Sequence, residues 1–150
     1  MTYELRLQRM LDAPPEVVFD TFVDPDATDE LFTPPELGYR LVESSIDLRV
    51  GGTWTILQEG PDGERVRLTY AFTEVDRPRR LAASFSMHFE SDGRTDRSDV
   101  LLTFEDRGGK TLLTLIQGGF KTEEERDGYL TGAPGFLDAV ERVVASRVAR

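Results

Sequence analysis

Two adjacent glycines, Gly51 and Gly52, constrain what this chain can fold into more than any other local feature. They lie within the segment Asp47–Trp54, between two stretches whose residues are typical of β-strands. Glycine at such a junction lets the backbone bend sharply, which happens where a sheet begins to curl around another element. The sequence therefore predicts a curved sheet, with strands over Tyr39–Val50 and Thr53–Glu59 on the two sides of the corner.

Further strands are predicted from the alternation of apolar and polar side chains. In the first of them, Tyr3, Leu5 and Leu7 alternate with polar residues, as expected of a strand with one buried face. The segments Gly60–Gly63 and Arg107–Gly109 have the composition of tight hairpin turns. The strands predicted in this way cover Tyr3–Leu11, Glu64–Val75, Leu81–Glu90, Ser98–Asp106 and Lys110–Phe120, and a polar loop is predicted over Ser91–Arg97.

Residues typical of helix starts occur after the first predicted strand and after the last. Pro14 and Pro15, followed by apolar residues at helical spacing, predict a first helix after the first strand. A short second helix is predicted around Asp26–Phe32. Near the C-terminus, Thr122 lies three residues before Glu125, which is the spacing of a capping box and predicts the start of another helix.

The C-terminal segment combines helix-breaking and helix-forming residues. Three glycines and Pro134 between positions 128 and 135 predict an interruption. After it, an apolar stripe formed by Phe136, Val140, Val143, Val144 and Val148 predicts a long final helix. A run of strands between helices favours an α+β fold with an antiparallel sheet of six to seven strands. The length of 150 residues fits one domain, 1–150.

The charge and composition exclude several classes of partner and site. Acidic residues outnumber basic ones by 28 to 18, which gives a formal net charge of −10. Such a surface repels phosphate groups, so we expect no nucleic acid and no membrane partner. The chain contains no Cys, and it lacks the long apolar run of a signal peptide. These features predict a cytoplasmic protein without disulfides or thiolate metal sites.

Five motifs, taken in chain order, resemble one known family. They are Ala13–Phe19, Asp47–Trp54, Asp62-Gly63, Thr73–Leu81 and Gly108–Thr111. Together they are similar to the activator-of-Hsp90-ATPase-homologue branch of the START-like (SRPBCC) superfamily, over nearly the whole chain. The resemblance implies a helix-grip (START-like, Bet v 1-like) fold, in which a curved antiparallel sheet wraps a long C-terminal helix and two short helices follow the first strand.

Two positions depart from the pattern of that family. The family often has a Trp near the end of the second helix, where this chain has Leu31-Phe32, and a Gly-Trp pair opening the last helix, where it has Gly135-Phe136. Both positions keep an aromatic residue, so the packing role is retained. The resemblance implies a cavity under the helix but no particular reaction, because members bind apolar or aromatic molecules, catalyse different reactions or bind chaperones.

No residue of the sequence makes a convincing catalytic or metal centre. His88, the single histidine, falls with Ser84 and Ser86 on the polar face of its strand, so we expect it on the solvated outer surface. Gly108–Thr111 lacks the first glycine of a phosphate-binding loop, and the acidic residues from 24 to 30 lack the spacing of a calcium loop. We therefore predict no catalytic residue, no metal and no cofactor, while whether the protein is an enzyme stays open.

Inward-facing apolar and aromatic residues are the strongest functional signal. Most of them must form the core, since burying one such side chain contributes about 1.5–3 kcal/mol. A largely apolar pocket with few polar groups is nevertheless the usual kind of small-molecule site. The residues predicted to line a cavity are Trp54, Ile56, Tyr70, Phe72, Phe85, Met87, Phe89, Leu102, Phe104, Phe136 and Val140.

Three functions remain open from the sequence. The first is binding of an apolar or aromatic small molecule in a cavity between the sheet and the C-terminal helix. The second is a protein-interaction module, with a chaperone as partner, acting through an outer surface. The third is a cofactor-free enzyme of the cyclase or hydrolase kind acting in the same cavity, for which Tyr70 and His88 are the residues to test. A homodimer is also compatible with the sequence.

Overall fold

The computed structural model describes residues 2–33 and 38–148. The part of the predicted connection at residues 34–37 therefore lies outside the described residues. The elements in chain order are β1 (Tyr3–Leu11), α1 (Pro15–Phe22), a 3-10 turn (Pro25–Ala27), α2 (Thr28–Phe32), β2 (Arg40–Ile46), β3 (Thr53–Glu59), β4 (Arg65–Asp76), β5 (Arg80–Phe89), β6 (Thr95–Arg107), β7 (Lys110–Phe120) and α3 (Glu123–Val148).

The seven strands in the described part of the chain form one antiparallel sheet in the order β1-β7-β6-β5-β4-β3-β2. From β2 to β7 each strand pairs with its neighbour in the sequence, whereas β1 pairs with β7. Leu7 lies opposite Leu115 in that pairing, and Trp54 lies opposite Tyr70 between β3 and β4. The α+β architecture with a curved sheet and a long C-terminal helix is thus confirmed.

The two glycines at positions 51 and 52 form a turn rather than the end of a strand. Gly51 has a φ of 87°, in the left-handed region that favours glycine. A Cβ atom at Gly52 would lie 2.1 Å from the carbonyl oxygen of Asp47, so only glycine fits there. β2 ends at Ile46, so the prediction of a strand through Val50 is wrong. The turn is tighter than the alternation of side chains indicated, because the chain at Gly52 comes close to the backbone of Asp47.

Backbone hydrogen bonds join this corner to the middle of the sheet. The Gly51 N–H donates to the carbonyl of Phe72 at 3.0 Å, and the Phe72 N–H donates to the carbonyl of Gly52 at 3.0 Å. Phe72 belongs to β4, two strands away from β2 in the order of the sheet. The corner is therefore part of the ladder, and it holds the curved edge of the sheet in place.

The final helix α3 is continuous over 26 residues, so the predicted interruption at 128–135 is wrong. None of the three glycines in this segment has a positive φ, and Pro134 lies inside the helix. Thr122 caps the first turn by accepting a hydrogen bond from the Glu125 N–H at 3.1 Å, which confirms the predicted helix start, while the Glu125 carboxylate accepts from the N–H of Lys121 rather than of Thr122. Tertiary packing of the following turns outweighs the low helix propensity of glycine and proline.

Only the C-terminal half of α3 is packed tightly into the molecule. Its buried residues are Leu137, Ala139, Val140, Val143 and Val144. Of the predicted apolar stripe, Phe136 is only half-buried and Val148 is exposed. No helix among residues 2–33 and 38–148 is long and apolar enough to cross a membrane.

Two sets of ion pairs hold this half of α3 against the rest of the fold. The guanidinium of Arg9 on β1 donates to Asp138 at 2.8 Å and to Glu141 at 2.9 Å. Near the end of the helix, Arg147 donates to Asp24, just before the 3-10 turn. The N-terminal half of α3 has fewer such contacts, and it spans the concave face of the sheet.

Most strand boundaries agree with the sequence-based expectation to within one residue, and the largest remaining difference is at the start of β6. β6 begins at Thr95, so the predicted loop over Ser91–Arg97 is wrong at its C-terminal end and Asp96 lies on a strand. The predicted short second helix is present as α2, preceded by the 3-10 turn in which Asp24 caps the backbone N–H of Asp26. The correction at the start of β6 matters for the site because it directs Asp96 toward the concave face.

Candidate ligand-binding site

A pocket of about 680 Å³ lies between the concave face of the sheet and the N-terminal half of α3. Side chains from β4, β5, β6 and β7 form its base, and α3 forms its roof. The exposed residues Arg94, Thr122 and Glu124 lie at its edge. The pocket is therefore open to solvent near the start of α3.

The pocket exists because α3 presents small residues to the sheet. Gly128, Gly132 and Ala133 all line it. Gly128 and Gly132 are exposed, and a Cβ atom added at either would meet no atom within 4 Å, so the space beside both is open. Tyr129 and Phe136 are the large side chains that α3 places beside this gap. The helix thus leaves room over the sheet where Leu or Val would have filled it.

The structure separates the predicted lining residues into two groups. Six of them line the pocket: Tyr70, Phe85, Met87, Phe89, Leu102 and Phe136. The other five are buried core residues outside the pocket lining: Trp54, Ile56, Phe72, Phe104 and Val140.

Aromatic residues of α1 and α2 cover two of those five, Trp54 and Phe104. Phe32 on α2 packs edge-on against Trp54 with ring centroids 5.2 Å apart. Phe19 on α1 packs against Phe104 at 5.2 Å, also edge-on. The short helices fill one end of the concave face, and the space that remains lies toward the start of α3.

Several lining residues were not predicted. Phe22 and Phe32 contribute from α1 and α2, Asp96 from the strand that begins early, and Tyr129 from the segment expected to be interrupted. A helical projection of residues 125–136 would have placed Tyr129 and Gly132 on one face with Phe136, because they are three to four residues apart. Extending the alternation of β6 toward its N-terminal end would have placed Asp96 on the face that lines the pocket.

An almost continuous row of aromatic rings forms one wall of the pocket. Tyr70 packs on Phe85 with centroids 4.8 Å apart, and Phe85 meets Tyr129 edge-on at 6.3 Å. Tyr129 in turn packs on Phe120, a buried residue behind the lining, at 5.1 Å. Ring pairs at such distances stabilise each other beyond the area that they bury. The wall therefore presents fixed aromatic surface to the pocket.

The few hydroxyl groups in the pocket act as hydrogen-bond donors at neutral pH. Burial raises the pKa of Tyr70 above its ordinary value, with a smaller contribution from nearby Tyr129. Burial also raises the pKa of Tyr129, followed by the negative charges of Asp96 and Glu125. The Tyr129 hydroxyl donates to the sulfur of Met87 at 3.7 Å. Both phenols therefore stay protonated.

Polar side chains occupy the part of the pocket away from α1 and α2. Arg94 and Asp96 form an ion pair at 3.5 Å, with side chains 57% and 21% exposed. The guanidinium of Arg94 also lies over the ring of Phe89, 4.1 Å from its centroid. Gln117 is buried and donates to Ser98 at 2.9 Å. The pocket is thus apolar over most of its surface and polar at its mouth.

The family model described as "Activator of Hsp90 ATPase homolog 1-like protein" matches residues 12–145. The chain belongs to this family. A search of curated proteins gives no match.

Solved structures of similar proteins share the fold of this family member. A protein from Rhizobium leguminosarum aligns with a TM-score of 0.81 at 21% identity, covering 97% of this chain and 96% of the other. The AHSA1 protein from Silicibacter pomeroyi gives 0.80 at 22% identity, covering 97% and 99%. A protein from Mycobacterium smegmatis gives 0.76 at 24% identity, covering 95% and 88%. At these identities the likeness shows the fold alone.

The residues with the most recognisable catalytic chemistry lie outside the pocket lining of this family member. His88 contacts Thr95 through Nδ1 at 2.7 Å, and Ser84 donates to Asp99 at 3.5 Å. These side chains alternate with Phe85, Met87 and Phe89, which line the pocket, so they lie on the opposite face of the sheet. Residues 2–33 and 38–148 contain no group of three or more His, Cys, Asp or Glu that could hold a metal ion.

Proposed function

We propose that this protein binds an apolar or aromatic small molecule in the pocket between α3 and the sheet. The observation that carries the proposal is the open space beside Gly128 and Gly132, which faces the aromatic side chains of the sheet. Leu or Val at these two lining positions would cover the aromatic face of the sheet, whereas glycine leaves that apolar surface accessible to a ligand. The volume of about 680 Å³ is within the usual range for small-molecule sites.

The aromatic wall supplies the attraction for such a ligand. Every 100 Å² of apolar ligand surface removed from water contributes about 2.5 kcal/mol, from which the loss of translational and rotational freedom must be subtracted. Tyr70 and Phe85 offer ring faces that can stack on an aromatic ligand, and the Tyr70 hydroxyl can donate to a polar atom on it. Affinity would thus come mainly from burial, with few directional contacts.

The test is a fluorescence titration with N-phenylnaphthylamine, a neutral aromatic probe that brightens in apolar surroundings. Gly132→Leu places a side chain in the open space, whereas Gly135→Leu makes the same change on the same helix outside the pocket lining. We expect Gly132→Leu to weaken binding by about tenfold or more, and Gly135→Leu to leave it within about twofold. Equal affinity of wild type and Gly132→Leu would place the probe elsewhere and overturn the proposal.

Native mass spectrometry of the purified protein complements the titration. A small molecule that remains bound to wild type and is absent from Gly132→Leu supports the proposal and identifies the ligand by its mass. A molecule retained equally by both proteins contradicts it. The same spectra report whether the protein forms a homodimer.

A further inference from the structure

The mouth of the pocket carries an excess of negative charge. The charged residues that line the pocket are Arg94, Asp96, Glu124 and Glu125, so three carboxylates face one guanidinium. Glu124 is exposed, whereas Glu125 and Asp96 are half-buried. Partly buried charges are less screened by salt than exposed ones, so they act strongly on a ligand that enters beside them.

Arg94, the one cation among the lining residues that the structure describes, is already engaged. Arg94 pairs with Asp96 at 3.5 Å and stacks on Phe89 at 4.1 Å. An anionic ligand that used Arg94 would have to compete with Asp96 for it. The stacking also shows that an aromatic face at this mouth accommodates a cation.

The start of α3 is acidic although it is the N-terminal end of a helix. The N-terminal end of a helix carries partial positive charge on its unpaired N–H groups. Here the Glu125 N–H donates to the Thr122 hydroxyl, and the Lys121 N–H approaches the Glu125 carboxylate at 3.4 Å. Glu123, Glu124 and Glu125 together place three carboxylates in this first turn. The helix end and its own side chains therefore leave the mouth acidic.

We propose that the pocket prefers apolar or aromatic molecules that carry a protonated amine, and discriminates against those that end in a carboxylate. This inference rests on the proposed function and names the class of its ligand. The apolar body lies along the aromatic wall, while the ammonium group lies at the mouth beside Glu124, Glu125 and Asp96. A carboxylate in the same position meets three like charges, and moving it deeper removes it from water without a partner.

Three probes with the same ring and different polar groups test this preference. Naphthylmethylamine is a cation at neutral pH, naphthylmethanol is neutral and naphthoate is an anion. Each is titrated as a competitor of N-phenylnaphthylamine in low salt. We expect the amine to bind most tightly, the alcohol less tightly and naphthoate least, with at least about a tenfold ratio between amine and naphthoate.

Variants that remove carboxylates show whether the selectivity comes from the charges at the mouth of the pocket or from the net charge of the protein. Glu124→Gln and Glu125→Gln, singly and together, remove carboxylates from the pocket lining, and Gln retains the capping geometry at position 125. Glu123→Gln removes the same charge from the same turn outside the lining. We expect the double variant to reduce the amine-to-naphthoate ratio to about threefold or less, and Glu123→Gln to leave it unchanged.

The possible results distinguish an error in the proposed ligand class from an error in the proposed function on which it rests. If N-phenylnaphthylamine binds and naphthoate competes as well as the amine, the ligand class is wrong while the pocket still binds apolar molecules. If the ratio is unchanged in the double variant, the selectivity comes from the net charge and the mouth plays no part in it. If neither the fluorescent probe nor any competitor binds, the proposed function fails and the ligand class with it.

Discussion

Replacing the helix glycines by alanine tests the continuity of α3 most directly. Gly128, Gly132 and Gly135 lie within the helix, have no positive φ and would meet no atom within 4 Å of an added Cβ. Alanine at each position therefore meets no steric obstacle and has the higher helix propensity. We expect each single substitution to increase the free energy of unfolding.

The size of the effect follows from the helix propensity scale. Glycine costs about 1 kcal/mol relative to alanine in a helix interior, so the triple variant should gain roughly 2–3 kcal/mol. For a chain of this size each kcal/mol raises the midpoint of thermal unfolding by about 2–4 °C, which gives roughly 5–10 °C for the triple variant. The gains should be nearly additive, since the three side chains do not share a partner.

Urea denaturation followed by circular dichroism measures this gain. We expect a higher urea midpoint with an unchanged slope, because the area exposed on unfolding hardly changes. A loss of stability at any of the three positions would refute the reasoning, since it would mean that the glycine there adopts a conformation that alanine cannot. Gly132→Ala should also be tested for probe binding, because its methyl group enters the pocket.

Two further predictions concern the corner and the acid sensitivity of the fold. Gly52→Ala should destabilise the protein by about 3 kcal/mol or more, because its Cβ would lie 2.1 Å from a backbone oxygen, whereas Gly51→Ala should cost only about 1–2 kcal/mol from its φ of 87°. Urea midpoints of the two variants check the order, and a greater loss in Gly51→Ala would contradict it. The Arg147 guanidinium lowers the pKa of Asp24 below its ordinary value of 3.8, so this pair stabilises the fold above that pH and the stabilisation is lost as pH falls through the lowered pKa. The difference in urea midpoint between wild type and Asp24→Asn should therefore shrink from pH 7 toward pH 3, and a difference that grows in acid would argue against the pair.

The strands of this fold could be predicted because each has one buried face. Alternation in β1, with Leu5 and Leu11 buried and polar residues between them, is visible without any knowledge of the partner strand. The glycine corner was also visible, although its tight geometry was not. The sequence was sufficient to predict a strand wherever the alternation within that strand already determines which of its residues are buried.

The continuity of α3 and the extent of the pocket could not be predicted in the same way. Pro134 argues locally against a helix, and only the packing of the next turns against the sheet outweighs it. Trp54 and Tyr70 both face inward, and their sequence patterns are alike. Phe22 and Phe32, which arrive from α1 and α2, both pack against Trp54, whereas of these two rings Phe32 alone meets Tyr70. Alternation along a strand shows on which face of the sheet a side chain lies. It does not show which side chains from other elements cover that face.

The pairing of the first strand with the last has a consequence for the synthesis of this chain. Each strand from β3 to β7 can pair with the one before it as the chain leaves the ribosome, whereas β1 must wait for β7. Gln8 donates to Thr114, 106 positions later, and Arg9 reaches Asp138, 129 positions later. Contacts of such long range slow folding. While these partners are missing, the apolar face of the sheet stays uncovered, so this interval of synthesis is when the chain is most prone to aggregate.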